Sequence, residues 1–353
     1  MKRLSRRSWL QVAGIGSLAG GAVHLVTRSA VAQQSAGGDV PAHPHVMGAV
    51  GRVSTESFDP GVFLRTWNFS DLPHAERRQF YRETPRPDGT TLREYEIFSV
   101  DQEIEIAPGV FFPAWTYNGQ VPGPTLRATE GDRVRVNFVN QGTHPHTLHF
   151  HGWHPPEMDG SLPEHEVQPG ERFVYEFDAE PFGLHLYHCH SAPLKRHIHK
   201  GLYGVFIVDP KDVDGVPARP PADELVMVMN GFDTNFDAEN EVYAVNTVAH
   251  YHMHEPVRVK VGQLVRIYLV NLTEFDPVNS IHMHGMFFDV SRTGTRLAPN
   301  ETTDTLMLCQ GERAVIETTF RYPGQFMFHA HQTEFAELGW MGLFLAEEDR
   351  RDT

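Results

Sequence analysis

The residues of this 353-residue chain best placed to do chemistry are four histidine pairs of the form H-x-H. They are His149-Phe150-His151, His188-Cys189-His190, His282-Met283-His284 and His329-Ala330-His331. Imidazole is the commonest metal ligand, and the chain carries 22 histidines. On a strand, residues i and i+2 share a face, so each pair sets two imidazoles side by side. One such pair is readily explained as a satisfied or solvated pair. Four of them at matched places point to metal, and imidazole donors suit copper, zinc, iron or nickel.

Cys189 narrows the choice. It lies between His188 and His190, so on a strand its thiolate points to the opposite face. One Cys and two His with a weak axial partner is the blue-copper arrangement. His146, three residues before His149, and His197, four before Gly201, are the candidate imidazoles, with His199 as the alternative to His197. The second half of the chain has Asn279, Ala330 and Phe335 at the places of His146, Cys189 and His197. All three donors are lost together while the H-x-H pairs remain, as expected if the three form one site.

The elements that must position these residues repeat once. Asp132–Asn140 alternates polar and apolar residues, and Leu264–Asn271 does something similar. Each is followed by an H-x-H-G, a Gly-Glu-Arg turn (Gly170–Arg172, Gly311–Arg313), a second H-x-H and a Gly-x-x-Gly run (Gly201–Phe206, Gly339–Phe344), at a nearly constant offset. Short strands with regular turns predict β-sandwiches, and 25 Pro and 30 Gly agree with many turns. The fold class expected is therefore all-β, with tandem domains at 92–213 and 214–353 joined through the Pro-rich stretch 208–223. Residues 33–91 read as a polar N-terminal extension with weak structure signals. His250, His252 and His254 read as the exposed face of a strand, and Cys309 as a small core residue.

Composition excludes several classes. With 40% apolar and 21% charged residues the chain is globular, and two Cys make no disulfide scaffold. A net charge of −15 repels phosphate backbones, so no nucleic-acid partner is expected. Residues 1–32 have a basic start, a short Gly-rich apolar run and an Ala30-Val31-Ala32 cleavage site, the layout of a secretory signal. Ser5-Arg6-Arg7-Ser8-Trp9-Leu10 resembles a twin-arginine signal, so a periplasmic or secreted protein without a membrane span is expected.

Taken together, His146-x-x-His149-x-His151, His188-Cys189-His190, His197-x-x-x-Gly201-Leu202, His282-x-His284 and His329-x-His331 resemble the pattern of two-domain, laccase-like multicopper oxidases. The resemblance covers roughly residues 93–348 and includes Trp115–Pro124. It implies tandem cupredoxin-like Greek-key sandwiches and four coppers per functional unit. It places type 1 copper on His146, Cys189 and His197, and type 2 copper on His149 and His282. It gives the type 3 pair to His151, His188, His190, His284, His329 and His331. Leu202 stands where an axial Met often sits, which implies a three-coordinate, high-potential site. The loop from Cys189 to His197 is nearer in length to that of copper nitrite reductases. That family, however, has Asp at the place of His149 and lacks the second His of His188-Cys189-His190.

The activity implied is one-electron oxidation of a phenolic, aromatic or other reducing substrate, coupled to four-electron reduction of O2 to water. A nitrite reductase-like enzyme or a non-enzymatic copper or electron-transfer protein is the alternative. The reaction consumes protons, and Asp159 is the candidate relay, with a plain Asp-Gly turn residue as the other reading. Glu334 and Glu337 are weaker candidates. The resemblance further implies a homotrimer in which domain 1 of one chain meets domain 2 of the next, a closed heterologous ring.

Overall fold

The computed structural model describes residues 58–348. The expected export signal, residues 1–32, lies outside the described residues. Strands dominate, and the helices are short.

In the first repeat one sheet runs in the order Tyr81–Pro85, Thr91–Ala107, Arg133–Asn140, Arg172–Asp178, with Val110–Tyr117 also paired to Thr91–Ala107. The facing sheet runs Gly123–Thr129, Tyr203–Asp209, Gly183–His188, His149–Phe150. Arg133–Asn140 buries every second residue, as its alternation predicts. Its inward Val134, Val136 and Phe138 share a core with Phe150, Tyr187 and Cys189 of the other sheet.

The second repeat uses the same pairings. Thr91–Ala107 lies parallel to Arg133–Asn140 in the first repeat, and Asp223–Phe232 lies parallel to Leu264–Asn271 in the second. Gly123–Thr129 runs parallel to Tyr203–Asp209, as Val257–Lys260 does to Met341–Glu347. The chain is thus one topology built twice.

A third core forms between the repeats, where Ile104, Phe112, Leu184 and Val205 meet Val226, Phe232, Tyr268 and Val270. This explains one departure from simple alternation. Leu264–Asn271 is buried along nearly its whole length. Val265, Ile267 and Leu269 face the core of their own repeat, and Tyr268 and Val270 face the seam. Beside that seam Arg127 pairs with Asp209 at 2.6 Å and Glu224 at 2.7 Å, and Arg266 pairs with Glu224 at 3.1 Å and Glu317 at 2.6 Å.

Part of the N-terminal extension is structural. Tyr81–Pro85 adds a strand to the first-repeat sheet. Leu64 joins the second-repeat core, and its carbonyl accepts from Val226 N–H at 2.8 Å.

Two expectations are corrected. Tyr251–His254 is a helical turn, and His252 is buried rather than exposed on a strand. Cys309 is exposed, because in Thr305–Cys309 the inward positions go to Leu306 and Leu308. Among the described residues no helix is long and apolar enough to cross a membrane.

Candidate metal centres

Each repeat aligns two H-x-H pairs across adjacent strands. His149 lies directly opposite His188, and His282 opposite His329. The alternation inside each motif turns Phe150 and Cys189 into the first core, and Met283 and Ala330 into the second.

Backbone carbonyls then fix the rings. His149 Nδ1 bonds the Asp159 carbonyl at 2.7 Å, and His282 Nδ1 bonds the Asp304 carbonyl at 2.8 Å. His188 Nδ1 bonds the Cys189 carbonyl at 2.9 Å, and His329 Nδ1 bonds the Ala330 carbonyl at 2.6 Å. A carbonyl can only accept, so Nδ1 carries the proton in all four and Nε2 is left with a lone pair. The second imidazole of each first pair meets these rings: His151 Nε2 lies 3.3 Å from His188 Nε2, and His284 Nε2 lies 2.9 Å from His329 Nε2. His190 packs 5.2 Å from His149, and His331 packs 5.4 Å from His282, measured between ring centres.

The Cys189 thiol lies on the opposite face, with His146 and His197. Its Sγ is 3.2 Å from His197 Nδ1 and 3.9 Å from His146 Nδ1, and the two Nδ1 atoms are 3.2 Å apart. All three residues are buried. Thr147 N–H points at the sulfur from 3.4 Å. Trp115 packs against both rings, at 5.4 Å from His146 and 4.8 Å from His197. Leu202 is fully buried in the same core as Cys189, and its carbonyl accepts from Cys189 N–H at 2.9 Å. His199 is elsewhere: its Nε2 accepts from Asp233 N–H at 3.0 Å.

Burial makes these donors ready for metal. It pulls the His146 pKa down to about 3, with help from His197 and His144. Burial also lowers His197 and His188 to about 4 and His151 to about 2. Neutral imidazole is the form a metal needs. Burial pushes the Cys189 thiol up, so the thiolate is poorly stabilised by the protein alone. His146 Nε2 is buried without a hydrogen-bond partner. Convergent neutral imidazoles and one thiol with no protein counter-charge are what copper would satisfy, so the donor set fits that metal.

Among the described residues five groups could hold a metal, and three of them contain the donors expected from the sequence: His146, Cys189 and His197; His149, His151 and His188; and His282, His284 and His329. Among the described residues no such group draws on both repeats. The first-repeat imidazoles are buried or half-buried, whereas His284 and His331 are exposed. Exposed aromatics flank both sets, Trp153 at 70% and Phe287 at 66%.

Asp159 lies behind His149. Its Oδ1 is 3.2 Å from His149 Nδ1 and 3.5 Å from His154 Nε2, and Ser161 donates to its other oxygen. Burial pushes its pKa up, but the Ser161 hydrogen bond and the nearby imidazoles outweigh that and hold it below the usual carboxylate range. Among the described residues Asp159 is the one carboxylate grouped with these imidazoles. Glu334 and Glu337 are exposed on the helical turn Thr333–Glu337.

Residue reasoning missed Asp304 and Arg313. Asp304 acts through its backbone carbonyl, which no side-chain pattern marks. Arg313 reaches His151 Nδ1 at 3.3 Å from 162 positions away, and its place in a repeated Gly-Glu-Arg turn was the one signal available.

Comparison with known proteins agrees with this geometry. Two family models described as multicopper oxidase match residues 101–213 and 218–350. A structure described as a multicopper oxidase is 53% identical, covers 82% of this chain and 98% of its own, and superposes with a TM-score of 0.76. The copper nitrite reductase of Nitrosomonas europaea is 27% identical, with coverage of 72% and 94% and a TM-score of 0.65. The copper-containing nitrite reductase of Neisseria gonorrhoeae is 30% identical over 66% of this chain and 62% of its own length. The chain therefore spans less than two thirds of that relative. With its two cupredoxin-like sandwiches and copper-type donor sets, this chain belongs to the multicopper oxidase family.

Proposed function

We propose that the protein is a laccase-like oxidase, taking single electrons from a phenolic, aromatic or other reducing substrate and passing them to O2. The observation that carries this reading is the presence of four H-x-H pairs where a one-copper catalytic site would need fewer. His146, Cys189 and His197 would hold type 1 copper. His149 and His282 would hold type 2 copper, and His151, His188, His190, His284, His329 and His331 the type 3 pair. When bound, copper would supply one-electron oxidation at the first set and four-electron reduction of O2 to water at the second.

The chain's own contribution is order and connection. Cys189 shares its backbone with His188 and His190, so a short covalent path joins the two sets. The carbonyls of Asp159, Cys189, Asp304 and Ala330 hold four rings in one tautomer before metal arrives. Asp159, kept ionised beside His149, both orients that ring and is the carboxylate nearest to hand for proton delivery. Burial around Cys189 and Trp115 keeps water from the thiolate.

Among the described residues the two imidazole sets form no joint group, and His284 and His331 of the second set are exposed. A homotrimer, with the first set of one chain facing the second set of another, accounts for both facts. The N-terminal sequence supports export by the twin-arginine route to the periplasm or beyond.

Quantitative EPR of the copper-loaded, air-oxidised protein tests the reading. About half of the copper silent, through a coupled pair, is the expected result. All copper visible would leave a nitrite reductase-like or electron-transfer protein, the alternative that the similarity to nitrite reductases favours.

A further inference from the structure

The helical turn Leu194–His199, which carries His197, reverses the charge of the molecule locally. The chain has a net charge of −15, yet Lys195, Arg196 and Lys200 follow one another here with no acid among them. Lys200 is buried and donates to the Pro113 carbonyl at 2.7 Å. Lys195 and Arg196 are exposed, and among the described residues neither has a carboxylate within ion-pair distance. Each is held by an aromatic ring instead. Arg196 Cζ lies 5.2 Å from the centre of Trp115, and Lys195 Nζ lies 5.8 Å from that of Phe275. A ring face attracts and orients a cation without neutralising it. Glu274, the carboxylate that feels Lys195, accepts from Gln310.

These two cations stand over the approach to the Cys189 set. His197 keeps 3% exposure and His146 none, so His197 is the ring nearer to solvent. Trp115 packs on it with ring centres 4.8 Å apart. Arg196 is therefore separated from His197 by a single indole.

The second repeat is an internal control. Its turn Thr333–Glu337 closes with the same hydrogen bonds. Lys200 N–H bonds the Arg196 carbonyl at 2.9 Å, and Leu338 N–H bonds the Glu334 carbonyl at 2.9 Å. Leu202 N–H bonds the His197 carbonyl at 3.2 Å, and Trp340 N–H bonds the Phe335 carbonyl at 2.9 Å. The backbone is the same, but Thr333, Glu334 and Leu338 stand at the places of Lys195, Arg196 and Lys200. All three cations are missing from the repeat that also lacks His146, Cys189 and His197. A charge that the turn needed for its own folding would recur in both copies.

We propose that Arg196, assisted by Lys195, selects small anionic reductants for the Cys189 set by seating a carboxylate of the donor beside Trp115. A guanidinium edge matches a carboxylate with two parallel hydrogen bonds. Two side chains make a seat for one such group rather than the wide field that steers a protein. The proposal rests on the oxidase reading for the fate of the electron. A bound phenol gives one electron to the His197 side and its O–H proton to water, and leaves as the phenoxyl radical.

The test compares two hydroquinones that differ by one carboxylate, 2,5-dihydroxybenzoate and 1,4-dihydroxybenzene, as donors to the copper-loaded protein. The ratio of their kcat/KM values cancels changes common to both. Arg196→Gln is expected to lower that ratio roughly fivefold, the upper weight of an exposed ion pair, through the KM of the anion. Arg196→Glu, which reverses the charge, is expected to lower it further, and Arg196→Lys to keep most of it. Arg82 is exposed on Tyr81–Pro85 of the same repeat and pairs with Glu96 at 3.0 Å. Arg82→Gln removes the same unit of charge and is expected to leave the ratio unchanged. Calorimetric titration with hexacyanocobaltate(III), a redox-inert trianion, reads binding without turnover. Its affinity is expected to fall roughly tenfold when Lys195→Gln and Arg196→Gln are combined. An unchanged ratio in Arg196→Gln, an unchanged anion affinity in the combined variant, or an equal change in Arg82→Gln overturns the proposal. EPR of the parent protein judges the oxidase reading separately: without silent copper that reading fails, while the anion affinity still reports on Arg196 and Lys195.

Discussion

At the scale of single residues, the two sides of one short strand end do different work. Cys189 turns inward to His146 and His197, while His188 and His190 turn to the other imidazoles. Leu202 is buried in the same core as Cys189 and offers no donor atom. Leu202→Met is close to volume-conserving, so it should cost less than about 1.5 kcal/mol of stability. The added thioether is expected to lower the type 1 potential, read by redox titration of the visible absorbance. Asp159 acts on the opposite face through His149. Asp159→Asn should leave that absorbance intact and lower oxygen uptake on the order of 10- to 100-fold, the usual cost of losing a partner behind a metal ligand. Unchanged uptake would remove Asp159 from both roles. The imidazoles were legible as spacing alone, because alternation in a strand converts sequence separation directly into a shared face. Arg313 and the carbonyls of Asp159 and Asp304 were not, because chain reversal brings them in.

Elements were legible to the extent that one face of each met solvent. Arg133–Asn140 reads cleanly as a strand for that reason. Leu264–Asn271 does not, since it is covered on both faces and carries the buried Arg266. That residue belongs to the charged network beside the seam, in which Glu224 accepts from Arg127, Arg266 and the Tyr268 hydroxyl. Burial pushes the Glu224 pKa up, but Arg127, Tyr268 and Arg266 outweigh it and the net shift is downward. A carboxylate with a lowered folded-state pKa contributes stability that is present above its unfolded value, near 4.3. That stability is lost as pH falls through the folded value. Thermal unfolding of the apoprotein should therefore show acid destabilisation that Glu224→Gln flattens. At neutral pH the same substitution takes one carboxylate from each of two arginines, which keep Asp209 and Glu317, and should cost about 1–3 kcal/mol. A pH profile parallel to that of the parent would place the acid sensitivity elsewhere.

At the scale of the whole molecule, the asymmetry between the repeats is the central fact. The first repeat keeps its H-x-H pairs largely covered, and the second leaves His284 and His331 open beside an exposed Phe287. Large exposed aromatics next to half of a metal site are the marks of a surface meant to be covered. A second copy is the partner that would bring the missing imidazoles. Phe287 lies three residues beyond His284 and outside the donor group itself, so it can be changed without removing a ligand. Phe287→Asp sets a charge on that face, and for the proposed homotrimer the expected outcome is a shift of the sedimenting species from trimer toward monomer. His146, Cys189 and His197, the proposed type 1 set, lie within one repeat, so the visible absorbance expected of copper on Cys189 should persist in the monomer. The type 2 and type 3 sets would be split between separate molecules, so the EPR-silent fraction should fall in step with the trimer population as the protein is diluted. A monomer retaining the full silent fraction would show that one chain closes the cluster by itself, and the ring would lose its reason to exist.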